Sequence, residues 1–169
     1  EILRCLVGSE MCIRDRYRYD STSKKWQRIK TVKAVSFTDS GLARAKGYSY
    51  KVKAVKKSGG KEYISASYSK AIEAVTKPAK ASCTAKSAGS GSIEVSWKAV
   101  GGASGYEIYS SSNGSDYVKS AKVGGSQKSA IVSGFEPYSL RMVKVRAYKT
   151  VNGKTSYGAF SQAAMVIVR

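Results

Sequence analysis

Histidine is absent from this chain of 169 residues, proline occurs twice and cysteine three times. Without histidine, the usual general base at neutral pH and the commonest metal ligand are both missing, which excludes imidazole-assisted nucleophiles and His-based metal centres. Two of the cysteines, Cys5 and Cys12, fall within the first dozen residues, and the third is Cys83. An odd count without paired spacing argues against a disulfide framework, and no Cys grouping has zinc-ligand spacing. No apolar run approaches the roughly 18 residues that a membrane span requires. Carboxylates are scarce as well: 11 acidic residues face 30 Lys and Arg, a net charge of +19. Such a field draws a protein toward polyanions but says nothing about its fold. Glu94, Glu107, Asp116 and Glu136 fall on different strands or loops with no paired-acid signature, and no serine stands in a nucleophile elbow. No catalytic, cofactor-binding or metal-binding residue is assigned.

What the chain does have is alternation. In Ser92–Tyr109, read SIEVSWKAVGGASGYEIY, the residues Ile93, Val95 and Trp97 share one side of a first run, and Tyr106 and Ile108 one side of a second. This is strand periodicity, and it predicts two strands facing one core, joined through small residues from Gly101 to Gly105. Trp97, Tyr106, Ile108, Val143 and Val145 are read as core, together with Tyr48 and Val52 in the first half of the chain. Expected strands of the second half lie near 81–88, 92–98, 105–111, 117–123, 128–133, 140–149 and 161–168. Asn113-Gly114 and Asn152-Gly153 are the expected hairpin turns. Asn113-Gly114-Ser115 also matches a glycosylation sequon, which the turn explains more simply. In the first half, Val35 and Phe37 are expected in a short strand ending at Asp39-Ser40-Gly41. Beyond it Tyr48, Tyr50, Val52 and Ala54 point one way, and Lys51 and Lys53 the other.

The pattern repeats. SGLARAKGYSYKVKAVKK from Ser40 matches SGFEPYSLRMVKVRAYKT from Ser133, an offset of 93 residues, and Tyr68-Ser69 falls near Phe160-Ser161. A period that long means tandem domains, with Pro78 as the expected boundary. The first sixteen residues differ from all that follows. Cys5–Arg16 resembles the translation of a sequencing-adapter remnant, so residues 1–16 are set aside as a non-native leader; the competing reading makes Ile2–Val7 a native edge strand.

SIEVSWKAVGGASGYEIY, followed by MVKVRAY and a final GAFSQ, resembles the fibronectin type III family in the form carried by surface proteins of Gram-positive bacteria. The resemblance implies an all-β chain of tandem immunoglobulin-like Greek-key sandwiches, complete over 78–169 and lacking the first two strands over 17–77. The family tyrosine at the start of the sixth strand is present as Tyr48; in the second unit Arg141 takes its place, and Tyr138 is the nearest substitute. The implied role is a non-catalytic spacer or accessory module of a secreted or cell-wall-associated protein, with neighbouring domains of the same polypeptide as its partners.

Outward residues of the second unit, Tyr109, Lys144, Arg146 and Tyr148, form a candidate ligand face. Rings stack on sugars and basic groups pair with phosphate or carboxylate; alternatively, such neighbours only stabilise an exposed sheet. Residues 17–78 carry +11 and residues 79–169 carry +8. Contact with anionic wall polymers or glycans follows as an expectation, either as a weak addition to a spacer or as the function of a dedicated adhesion module. Basic residues spread over both units, without a recognition helix or stacking motif, disfavour nucleic acid.

Overall fold

The computed structural model describes residues 13–169. The expectations about Ile2–Val7, Cys5 and Cys12 lie outside those residues. The regular elements among the described residues are thirteen strands, and no helix there is long and apolar enough to cross a membrane. They divide into two compact units: one of the described residues up to Leu42 with Gly47–Ala74, the other of Ala43–Lys46 with Val75–Arg169.

The second unit is a sandwich. Strands β6 (Thr84–Gly89), β7 (Ser92–Ser96) and β10 (Ser129–Ser133) form one sheet in the order β10-β7-β6. Strands β8 (Gly105–Ser111), β9 (Val118–Gly124), β11 (Leu140–Val151) and β12 (Lys154–Tyr157) form the other in the order β12-β11-β8-β9, with β13 (Ala164–Ile167) also on β11. Successive side chains on a strand point to opposite faces, so alternate residues of the two sheets meet between them. Ile93, Val95, Tyr106, Ile108, Val143, Val145, Ala147 and Val168 are fully enclosed, and Trp97 is 5% exposed. The Trp97 ring lies 5.2 Å from that of Tyr106. Its Nε1–H donates to the Gln127 carbonyl at 3.1 Å, and the Val100 N–H donates to Tyr106 Oη at 2.7 Å. Both polar tips are therefore satisfied where their rings are buried, as a dry core requires.

Two turns differ from each other for a physical reason. Asn152 and Gly153 both adopt positive φ, 48° and 77°, closing β11 onto β12 in the tight turn expected there. Around Asn113 the chain instead makes a longer loop, in which Asn113 Oδ1 accepts from the N–H groups of Ser115 and Asp116 at 2.9 Å each. Only Gly114 takes positive φ in that loop. The strand expected over 161–168 is shorter, and an unexpected strand, β12, precedes it. Between them the chain leaves β11 and returns through Ser161, whose N–H donates to the Val145 carbonyl at 2.8 Å and whose Oγ accepts the Val145 N–H at 3.0 Å. At one end of this sandwich the Pro78 and Ala79 carbonyls pack against Gly158, whose N–H bonds the Ala147 carbonyl. The Arg169 carbonyl accepts from the Gly91 N–H at 3.2 Å, beside the end of β11 where Leu140 pairs with Ile167.

Among the described residues the first unit holds a single sheet. Strands β1 (Ile13–Asp20), β2 (Lys25–Val32), β3 (Gly47–Ser58) and β4 (Lys61–Ile64) run in the order β2-β1-β3-β4, and β5 (Ile72–Val75) pairs with β3. Ser69 repeats the hook of Ser161: its N–H donates to the Val52 carbonyl at 2.9 Å and its Oγ accepts the Val52 N–H at 3.0 Å. The strand expected at Val35 and Phe37 does not form, and residues 33–42 run irregularly. In the second unit the corresponding stretch is β10, which is a strand because β7 pairs with it; no described strand plays the part of β7 in the first. Tyr48 and Val52, expected as core, are consequently only half-buried. The apolar side of the sheet opens into a concavity of about 530 Å³ lined by Phe37, Leu42, Val52, Ile72 and Ala74. Val35 and Ile72 are left 83% and 65% exposed.

Strand β1 fits this inner side poorly. Arg14, Arg16 and Arg18 pair with Ala54, Val52 and Tyr50, where the second unit places Tyr106, Ile108 and Ser110 opposite Ala147, Val145 and Val143. Arg16 reaches the Val35 carbonyl at 3.1 Å, but its Nε is buried without a partner, and burial and then Arg14 lower its pKa. Asp39 takes up Arg18 at 2.8 Å and the Tyr50 hydroxyl at 2.9 Å. Burial and then that carboxylate push the Tyr50 phenol up to about 12.

Two outcomes follow. Trp97→Ala removes a buried ring and leaves a cavity, so denaturant unfolding of the second unit should show a loss of about 3–5 kcal/mol; a loss below about 1 kcal/mol would mean that the indole is not sealed. Hydrogen exchange followed by mass spectrometry should find β3 amides exchanging well before those of β11, because only β11 lies beneath a second sheet.

Candidate ligand face

Strand alternation turns Glu107 and Tyr109 of β8, and Lys144, Arg146 and Tyr148 of β11, away from the core, in the register Lys144↔Tyr109 and Arg146↔Glu107. All four candidate residues are half-buried. Gly105 makes room for one of them: a Cβ there would meet Tyr148 Oη at 2.5 Å and the Val123 carbonyl at 2.3 Å.

The centre of the face is a carboxylate that sequence reasoning set aside. Glu107 is 1% exposed. Its Oε2 accepts from Arg146 Nε at 3.0 Å, Arg146 Nη2 at 2.8 Å and the Tyr109 hydroxyl at 3.2 Å, and its Oε1 accepts from Lys119 Nζ at 3.2 Å. Arg146 Nη2 also donates to Tyr109 Oη at 2.8 Å. Three rings enclose the guanidinium, with centroids 4.2 Å (Tyr157), 4.8 Å (Phe160) and 5.1 Å (Tyr109) from Cζ. Tyr109 and Phe160 meet edge to face at 5.0 Å. Lys144 Nζ lies 4.0 Å over Tyr117, and Lys122 Nζ lies 4.6 Å over Tyr148. Burial pushes the Glu107 pKa up, but hydrogen bonds from Arg146 and Lys119 outweigh it, leaving the pKa below its ordinary value of 4.5. The same bond to Glu107 raises Lys119. The arrangement neutralises a buried acid and engages the Nε and Nη2 donors of its arginine, so it acts as a brace across β8, β9 and β11.

The first unit carries a related face. Asp15, 0% exposed, accepts from Arg28 Nη1 at 3.2 Å and from the Thr31 hydroxyl. Tyr17 and Tyr68 meet edge to face at 5.0 Å, as Tyr109 and Phe160 do. Cys83, the free cysteine among the described residues, lies partly buried, with its Sγ 3.7 Å from the Val143 carbonyl. Burial raises its thiol pKa, which leaves it a poor nucleophile. Among the described residues no group of three or more Cys, Asp or Glu is placed to hold a metal ion.

Two chicken proteins of known structure are similar to this chain. A two-domain fibronectin type III segment of tenascin aligns at 14% identity over 96% of this chain and 87% of its own, with a TM-score of 0.55. The FN1–FN3 domains of CNTN1 align at 19% identity over 93% of this chain, which spans 56% of theirs, with a TM-score of 0.52. No protein-family model and no curated protein matches the sequence.

The fold is that of tandem fibronectin type III domains.

Within that fold the described residues of the first unit supply one sheet and those of the second supply both. Tyr138 does not stand in for the family tyrosine of the sixth strand: it is 85% exposed, in a positive-φ conformation of 60°. Arg141 stacks on Phe135 at 5.1 Å and leaves its Nε buried without a partner. Glu107, Lys119, Tyr157 and Phe160 were missed as members of the face. The signal for Glu107 was an acid at an outward strand position opposite Arg146, legible only once the register of β8 and β11 is known.

Because the Glu107 pKa is lowered on folding, its bonds stabilise the native state above the ordinary glutamate range and lose that effect as pH falls through the folded value. Glu107→Gln should therefore cost about 1–3 kcal/mol at pH 7. In urea unfolding midpoints taken across a pH series, the gap between the parent chain and the variant should close below the glutamate range. A gap independent of pH would assign the loss to packing.

Proposed function

We propose that the chain is a non-catalytic spacer or accessory part of a larger secreted or cell-wall-associated bacterial polypeptide. Neighbouring domains of that polypeptide are its main partners, and its positive charge adds weak contact with anionic wall polymers. The observation that carries this reading is the closure of the outward face in the second unit. Arg146 gives its Nε and Nη2 donors to Glu107 and Tyr109 and is covered by three rings, so most of the group best suited to grip a ligand is already engaged. A face built in this way supports a scaffold more than a dedicated glycan-binding platform. The net charges of +11 and +8 on the two halves supply a diffuse attraction that needs no pocket.

Retention of the chain on purified Gram-positive walls should fall steeply between low and high salt. It should persist in the Tyr109→Ala/Tyr148→Ala double variant. Salt-independent retention would remove the electrostatic reading, and loss of retention in the double variant at an unchanged melting temperature would favour the adhesion module instead.

A further inference from the structure

The outward face of the first unit differs from its counterpart in one chemical respect. Lys51 and Lys53 of β3 stand where the second unit has Lys144 and Arg146, pairing with Tyr17 and Asp15 as those residues pair with Tyr109 and Glu107. The buried carboxylate is already satisfied, since Arg28 and Thr31 donate to Asp15. Neither lysine forms an ion pair with a carboxylate among the described residues. Lys51 Nζ instead sits 4.5 Å over Trp26 and 5.4 Å over Tyr68, and Lys53 Nζ sits 4.4 Å over Tyr68 while donating to the Ala66 carbonyl at 3.2 Å. The other acids on this side are engaged, Glu62 with Lys57 at 3.0 Å and Glu73 with Ser49 at 3.4 Å.

Rings beneath an ammonium hold it in place without neutralising it, and they leave its outer N–H donors open. Two residues apart on one strand, Lys51 and Lys53 lie about 7 Å from each other along β3. We propose that this face is a binding site for a phosphodiester polymer lacking aromatic bases, with one phosphate on each lysine. The proposal narrows the charge-driven contact of the preceding section to one site and rests on that reading. Phosphate is favoured over carboxylate because lysine serves phosphate as a point charge, whereas carboxylate recognition draws on the arginine fork. Nucleic acid is disfavoured because the faces of Trp26 and Tyr68 that would stack on a base are occupied by the ammonium groups. The charge of the surrounding unit, +11 over residues 17–78, complements such a polymer.

The test uses the full chain and synthetic poly(glycerol phosphate), titrated calorimetrically over a series of salt concentrations. Lys51→Ala/Lys53→Ala should weaken binding about tenfold at low salt and reduce the slope of log affinity against log salt by about 2. Lys98→Ala/Lys128→Ala removes the same charge from the second unit and should change both far less. Tyr68→Leu, which keeps both charges but releases them, should weaken binding measurably, with far-UV circular dichroism confirming the fold. Equal losses in the two lysine pairs, with salt-dependent binding retained, would leave diffuse attraction standing and overturn the site. Tighter binding of oligo(dT) or of polygalacturonate than of poly(glycerol phosphate) would overturn the choice of ligand. Failure of the parent chain to bind any of the three at low salt would overturn both the site and the electrostatic reading.

Discussion

Two-residue alternation commits one side of every strand here to a partner sheet, and the two units divide according to whether that partner is present among the described residues. In the second unit Ile93, Val95 and Trp97 face Tyr106, Ile108, Val143 and Val145, and the space between them is closed. Each of these residues is buried by residues distant in sequence, so no part of the core forms without the rest. The first unit has the same strand order and the same serine hook, but its inward row opens into a concavity. The contrast separates what hydrogen bonding supplies from what packing supplies. Ladder bonds and outward side-chain contacts arrange β1 to β5, but they do not shield Val35, Phe37 or Ile72 from water.

Most of the fold was legible because the period of a half-buried strand is written directly in residue type. Ile93, Val95 and Trp97 could be assigned to one face before any pairing was known. The repeat linking Ser40 to Ser133 then carried the assignment across the chain. The parts that were not legible depend on partners. Val35 and Phe37 look like a strand in isolation, yet strand geometry there needs a neighbour to receive its hydrogen bonds, and none is described. Tyr48 and Val52 look like core residues, but burial belongs to the whole sandwich and cannot be read from one strand. The break between β12 and β13 was hidden because Ser161 replaces the lost backbone bonds with its own side chain and N–H.

The outward faces were legible in composition and not in connection. Tyrosine, lysine and arginine at alternate positions announced an exposed surface with ligand-like chemistry. Whether those groups are available is decided by Glu107 and Asp15, two acids whose importance comes from the residues opposite them. An Arg at 146 meets a buried acid and gives it Nε and Nη2; a Lys at 53 meets an acid already taken by Arg28 and rests over Tyr68 instead. The same architecture thus yields a brace in one unit and open cationic groups in the other, through the choice between arginine and lysine and the placement of one further arginine.

Pro78 and Ala79 pack beside Gly158 and Arg169 bonds Gly91, and these points lie toward opposite ends of β11. From Leu140 to Tyr148 that strand covers about 27 Å at the usual rise per residue. Tension applied between those two points would run along the strands, loading the ladder bonds near either end in shear instead of parting them one at a time.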